Sequence, residues 1–173
     1  NFIRAAGHDI GKSLVDSEGA SQVQNIVEAA RPKQLMLPID SGVSTEISPE
    51  AKRRDCGVSE ISADDIVLDL GFETMRLYTE KIKQASTVVW NGTLGMTELP
   101  QFAQSSEVLA QTLSDNHTTL DCIVGGGDTA DFVLGWLERN PKGVFKHIST
   151  GGGASLELMS GLKLPGVEAL LDK

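Results

Sequence analysis

The chain has 173 residues, 40% of them hydrophobic, which is enough for one domain with a sizeable core. Fifteen Lys and Arg against 24 Asp and Glu give a formal charge of −9, a surface that repels phosphate backbones and argues against nucleic-acid binding while leaving room for a small phosphorylated ligand held by backbone amides. No apolar run approaches the roughly 18–20 residues of a membrane span, and Cys56 and Cys122 form no CxxC pair, so neither a disulfide framework nor a zinc site is indicated.

The opening Asn1-Phe2-Ile3-Arg4 shows no secretory apolar segment, and the expected compartment is the cytoplasm. Residues 21–30 place Val23, Ile26, Val27 and Ala30 on one helical face. Residues 34–37 (QLML) end at Pro38 and read as a short buried strand. Residues 41–66 are polar and acidic with weak periodicity, and read as a surface excursion with room for a short extra strand pair. The next helix spans 73–85 and aligns Met75, Tyr78 and Ile82, with Glu73 early and Lys81 and Lys83 late, the order the helix dipole favours. A strand over 87–90 (TVVW) precedes a helix over 100–114 that aligns Phe102, Leu109 and Leu113. A strand over 120–124 (LDCIV) leads into a helix over 129–139 with Phe132, Val133, Trp136 and Leu137 on one face. A strand over 144–148 (VFKHI) and a helix over 154–160, stopped by Gly161, complete the set. Strands alternating with helices predict an α/β fold, a doubly wound, Rossmann-like parallel sheet with helices on both faces. No repeat or linker interrupts it, so residues 1–173 read as one domain.

Three glycine-bearing segments each follow a predicted strand: Asn91-Gly92-Thr93-Leu94-Gly95, Gly125-Gly126-Gly127-Asp128-Thr129, and Ser149-Thr150-Gly151-Gly152-Gly153. In an open parallel sheet the carboxyl ends of neighbouring strands line one crevice. Glycines let an anion approach the main chain, and free amides at a helix start supply donors and partial positive charge. Three such segments at successive strand ends suit a polyphosphate, although triple glycines also serve as tight strand-to-helix turns. Asp128 has two compatible readings, a cap for the helix beginning near Thr129 or a ligand for Mg²⁺ beside bound phosphates.

Other patterns are weaker. Residues 125–130 satisfy GxGxxA, the dinucleotide fingerprint, but about twenty positions on stand Lys146 and His147 where an acid should grip a ribose. GHDIGKS (7–13) resembles a Walker A loop with Ala6 in the place of its first glycine, and it follows a helical pattern rather than a strand. His8, His117 and His147 form no cluster, His147 reads as a hydrogen-bonded core residue, and Trp90 and Trp136 read as core.

VVWNGTLGMTE (88–98), GGGDTA (125–130), and STGGGASLELMSG followed by KLPGVEAL (149–170) resemble the C-terminal domain of phosphoglycerate kinase. Their order and spacing match that family too, and GKSL (11–14) and LPID (37–40) fall where it has similar segments, so the resemblance covers essentially the whole chain. It implies a glycolytic enzyme that transfers a phosphoryl group reversibly from 1,3-bisphosphoglycerate to MgADP, giving 3-phosphoglycerate and ATP. It also implies two doubly wound domains, one for phosphoglycerate and one for the nucleotide, that close by a hinge motion, and a monomeric protein.

Carried over by motif position, Asp128 corresponds to the family's metal-linked acid, with Mg²⁺ as cofactor and ADP or ATP as substrate. Gly125, Gly126, Gly127 and Thr129 would form the phosphate-binding helix start, and Glu98 the acid on the ribose hydroxyls. Asn91 and Gly95 fall at nucleotide-contact positions, while Leu14 and Leu68 would line the adenine pocket. Gly151, Gly152 and Gly153 would point amides toward the phosphoryl group in flight, a role that fits phosphoryl transfer, which needs positioning and charge stabilisation more than covalent chemistry. Thr93 and Thr97 stand where the family pattern NGPxGxFE carries proline and phenylalanine, and Phe72 stands where a proline normally follows the glycine of Asp69-Leu70-Gly71. These departures bear on the adenine side of the pocket and not on the phosphate side.

The resemblance further implies that the chain begins within the helix after the family's first glycine-rich nucleotide loop. That loop's lysine-bearing lead-in and the phosphoglycerate-binding domain would then be missing, so these residues alone are expected to show weak or no catalysis. A nucleotide-binding module without transfer activity is the alternative function. A dinucleotide-dependent oxidoreductase, resting on GxGxxA alone, is the third.

Overall fold

In the computed structural model, residues 1–30, 35–149 and 152–171 are described, and their six strands form two three-stranded sheets, one antiparallel and one parallel. The sheets belong to two units, Asn1–Lys81 with Leu94–Leu109, and Ile82–Thr93 with Ala110–Lys173.

The first unit opens with a short helix, α1 (Phe2–Ala5), and then α2 (Ser17–Ala29). The second of these starts four residues before the expected position because Asp16 caps it, accepting hydrogen bonds from the amides of Glu18 and Gly19. Its antiparallel sheet has the order β2-β1-β3, with β1 at Asp40–Ser44, β2 at Arg54–Gly57 and β3 at Ile66–Leu70. This corrects the reading of 41–66 as a surface excursion. Ser41, Gly42, Val43 and Ser44 are all buried in the middle strand. Serine and glycine are poor strand formers by composition, which is why the segment reads as a loop.

The glycine has a steric reason. Gly42 lies opposite Asp55 on β2 and opposite Asp69 on β3, and a Cβ added to it would stand 2.6 Å from Cζ of Arg53. The guanidinium fills the gap and bridges the two flanking carboxylates. Its Nε and Nη2 grip Asp55 at 2.9 and 2.7 Å, its Nη1 reaches Asp69 at 2.6 Å and the Gln101 carbonyl at 3.1 Å, and its Nη2 also reaches the Leu70 carbonyl at 2.8 Å. All five guanidinium N–H groups are thereby used. Arg53 also sits 5.3 Å from the Phe72 ring centroid, a cation–π contact. Burial works against the guanidinium's charge, yet the bonds to Asp55 and Asp69 outweigh it and raise its pKa. Burial pushes the Asp69 carboxyl up, against hydrogen bonds from Ser105 and Arg53. Apolar packing completes the unit on either side, with Val43, Cys56 and Ile61 in one cluster and Ala51, Leu68 and Phe102 in another.

Of the strand expected over 34–37, Gln34 lies outside the described residues, and residues 35–37 form no strand. Met36 is exposed instead, and its carbonyl accepts the Tyr78 hydroxyl at 2.7 Å. The strand begins after Pro38, at Asp40, whose carboxylate caps α3 (Phe72–Ile82) from over thirty residues away. Oδ2 accepts from the Glu73 amide at 2.9 Å and Oδ1 from the Thr74 amide at 2.7 Å.

The second unit holds the parallel sheet, order β4-β5-β6, with β4 at Thr87–Asn91, β5 at Asp121–Gly125 and β6 at His147–Ser149. The division between units falls within α4 (Gln104–Asp115), ahead of which Pro100–Phe102 forms a separate 3-10 turn. From β5 the chain enters α5 (Gly127–Arg139), and after β6 come α6 (Gly152–Met159) and α7 (Pro165–Leu171). The expected α/β class is therefore present, as a parallel sheet flanked by helices. Trp90, Cys122, Val124, Val133 and Trp136 are buried, and Trp90 meets Phe132 edge-on at 6.0 Å.

The last strand starts three residues later than expected. The Val144 amide is taken by the Ser114 hydroxyl at 3.0 Å, and Phe145 packs edge-on against Trp136 at 5.9 Å, so this segment serves packing rather than pairing. His147 is exposed, which corrects its reading as a core residue. It shares a cross-strand row with Ile123, itself 36% exposed, on the side of β5 opposite buried Cys122 and Val124. Replacing the remote cap, Asp40→Ala, is expected to lower unfolding stability by about 1–2 kcal/mol in a urea titration, with Asp40→Asn retaining most of it.

Candidate functional site

Register fixes the site in the second unit. Asn91 pairs with Gly125, and Gly125 pairs with Ser149, so the carboxyl ends of all three parallel strands lie in one row. Each glycine segment begins at or just beyond that row. Gly126 turns the chain from β5 into α5 with φ 94° and ψ 138°, a conformation that only glycine adopts readily. A Cβ on Gly125 would come within 3.1 Å of the Asn91 side-chain nitrogen, so the Asn91 amide lies over the turn.

The first hydrogen bond of α5 runs from the Ala130 amide to the Gly126 carbonyl at 2.9 Å, leaving the amides of Gly127, Asp128 and Thr129 with no intrahelical acceptor. A Cβ on Gly127 would meet nothing within 4 Å, so the space in front of these donors is open. The helix begins at Gly127, two residues ahead of the expected start. Asp128 is consequently inside the first turn, and Gly126 is the N-cap, with no side-chain cap bond. The Asp128 carboxylate is exposed and has no hydrogen-bond or ion-pair partner among the described residues.

Thr129 is 1% exposed, and its hydroxyl accepts the Gly92 amide at 2.8 Å. The Trp90 indole donates to the Gly92 carbonyl at 2.7 Å. These two bonds lock the loop after β4 onto the first turn of α5. Gly152 opens α6 and Gly153 follows it with open space where a Cβ would stand, while Gly151 lies outside the described residues.

The remaining expected residues, Leu14, Leu68, Gly95 and Glu98, belong to the first unit. Gly95 has φ 74°, and a Cβ there would stand 2.2 Å from the Phe102 carbonyl oxygen and 2.4 Å from Asp69 Oδ1. Its own surroundings demand glycine, whatever a ligand requires. Glu98 is exposed on a turn and unpartnered among the described residues. Leu68 is 7% exposed and packed with Ala51 and Phe102, and its carbonyl accepts the Met96 amide at 2.8 Å. Leu14 is 95% exposed. Just before it, the Walker-like Gly11-Lys12-Ser13 is no anion loop. The Lys12 amide bonds the Asp65 carbonyl at 2.7 Å, Ser13 Oγ accepts the Val67 amide at 2.9 Å, and Lys12 Nζ pairs with Asp64 at 2.7 Å.

Sequence reasoning missed Arg53, Asp69 and Ser106 as groups that hold the segment carrying Gly95 and Glu98. Ser106, fully buried, clamps Leu94 through both its amide and its carbonyl, at 2.8 and 2.7 Å. A signal was present for the first: Arg53 and Asp55 are two residues apart and so share a strand face.

The phosphoglycerate kinase family profile matches residues 1–162. The chain is 40% identical over 174 residues to a phosphoglycerate kinase of Pelotomaculum thermopropionicum and 39% identical over 176 residues to one of Dictyoglomus turgidum, covering 99% of this chain and 43% of each relative. Its fold is similar to phosphoglycerate kinase from Coxiella burnetii, with a TM-score of 0.82 and 35% identity, over 96% of this chain and 42% of that one. Phosphoglycerate kinase from Pyrococcus horikoshii gives a TM-score of 0.79 at 25% identity, over 98% and 42%. The chain thus spans about two fifths of the length of the relatives it matches.

Two substitutions separate the backbone constraints of this site. Gly126→Ala is expected to lose about 1–3 kcal/mol of unfolding stability, because alanine must adopt a glycine conformation. Thr93→Pro is expected to change it by less than about 0.5 kcal/mol, because the Thr93 amide has no acceptor among the described residues and its φ is not positive. Urea titrations of both variants check the contrast.

Proposed function

The chain belongs to the phosphoglycerate kinase family, and from that premise we propose that it supplies the nucleotide-binding part of an enzyme moving a phosphoryl group reversibly between 1,3-bisphosphoglycerate and MgADP. The observation that carries this reading is the row Asn91–Gly125–Ser149, with the open amides of Gly127, Asp128 and Thr129 immediately beyond it. Amides at a helix start present donors and the positive end of the helix dipole, which suits the phosphates of a nucleotide even on a chain of charge −9.

Asp128 fits the metal that this chemistry uses. It offers an exposed hard oxygen donor, unpartnered among the described residues, beside the proposed phosphate site. Mg²⁺ takes one or two carboxylates together with phosphate oxygens, and when bound it neutralises charge on the transferring group. Thr129 and Trp90 hold the Gly92 loop in place, Asn91 lies over the glycine turn, and Gly151 to Gly153 are proposed to direct amides at the phosphoryl group. Glu98 is proposed to hold the ribose hydroxyls, with Leu14 and Leu68 on the adenine and Gly95 beside the nucleotide. In this reading the chain's residues position and neutralise; they form no covalent bond to the substrate.

The phosphoglycerate substrates contact other parts of such an enzyme, so these residues alone bind nucleotide without transferring phosphate. Phosphoglycerate-dependent ATP turnover, expected only when a phosphoglycerate-binding domain accompanies this chain, tests the activity. Asp128→Asn tests the metal role: calorimetric titration should show MgADP affinity falling about tenfold or more, on the scale of one lost charge-assisted contact, with metal-free ADP little changed. Equal affinities before and after the change would leave Asp128 a dipole partner of α5 only.

A further inference from the structure

We propose that Arg53, acting through Asp69, is a positioning residue for residues 95–98 and hence for recognition of the nucleoside half of the ligand, an inference that rests on the nucleotide reading above. The ion pair is wedged between two glycines. On one side Gly42 leaves the room that Arg53 occupies; on the other, Asp69 Oδ1 stands where a Gly95 side chain would begin. Asp69 and Arg53 then hold the chain beyond Glu98 as well. Asp69 Oδ2 accepts the Ser105 amide at 3.2 Å, and Arg53 Nη1 holds the Gln101 carbonyl at 3.1 Å.

Glu98 is thus an exposed acid on a turn whose two ends are both fixed by one buried pair. The side chains of Arg53 and Asp69 are 8% and 0% exposed, so neither is placed to touch a ligand itself. Remaining ties on the segment are the Ser106 clamp at Leu94 and the Met96-to-Leu68 backbone bond. Neither reaches the chain between Leu99 and Ser105. Glycine has the widest conformational freedom of any residue, so loss of the pair frees the backbone at Gly95 first and lets the Glu98 carboxylate drift from its set position. A lysine cannot replace the arginine, since three donors on one nitrogen cannot span Asp55, Asp69 and two carbonyls.

The test compares ADP with inorganic pyrophosphate, both with Mg²⁺, by calorimetric titration of the wild-type chain, Arg53→Met and Arg53→Lys, with urea titrations to establish folding. Arg53→Lys keeps a cation beside Asp69 and supplies the decisive data if Arg53→Met does not fold. The expected result is ADP affinity reduced by roughly tenfold, the lower end of what orienting groups behind a bound metal contribute, with pyrophosphate affinity unchanged. Unchanged ADP affinity in a folded variant, or equal losses for ADP and pyrophosphate, would overturn the positioning role while leaving the nucleotide reading intact. Failure of the wild-type chain to bind ADP would overturn both.

Discussion

A parallel sheet sends every strand's carboxyl end to the same edge, and that constraint organises the second unit. Because β4, β5 and β6 pair in register, the residues that leave the sheet leave it together, at Asn91, Gly125 and Ser149. Each departing segment must turn at once. Gly126 makes its turn with a positive φ and delivers the chain into α5 with three amides unclaimed by the helix. The donors are a by-product of helix geometry; their alignment on one edge is a product of sheet geometry. Thr129 and Trp90 then fix the neighbouring loop, so the edge is rigid before any ligand arrives.

The first unit solves a different problem, two carboxylates flanking one position of its middle strand. Asp55 and Asp69 face each other across Gly42, and one fully bonded guanidinium separates them. A buried ion pair gains little net stability once its desolvation is counted, while removal of one partner is severely destabilising. The value of this one lies in geometry. It ties β2, β3, the Phe72 ring and the Gln101 carbonyl to a single planar group, and sets Gly95 against Asp69.

Legibility in the sequence followed the physical strength of each signal. The three parallel strands carry β-branched runs such as TVVW, and the glycine clusters behind them mark the turns, so that sheet and its edge were readable. The middle antiparallel strand, Asp40–Ser44, was not, because its small polar residues are chosen for crowding by Arg53 rather than for strand propensity. His147 read as core because its neighbours are apolar, but it lies in a sheet row that is exposed. The start of α5 was misplaced by two residues because Gly127 is a poor helix former, which moved Asp128 from the cap into the first turn. Gly95 read as a ligand contact from its motif, and only coordinates reveal that Asp69 and Phe102 already exclude any side chain there.

The central claim is that the amides at the start of α5 receive nucleotide phosphates. Amide-resolved NMR of the ¹⁵N-labelled chain during titration with MgADP tests it most directly. The account predicts saturable shifts led by Gly127, Asp128 and Thr129, with Gly92 following through its bond to the Thr129 hydroxyl. Saturable binding that leaves these amides unmoved and shifts residues elsewhere would contradict it.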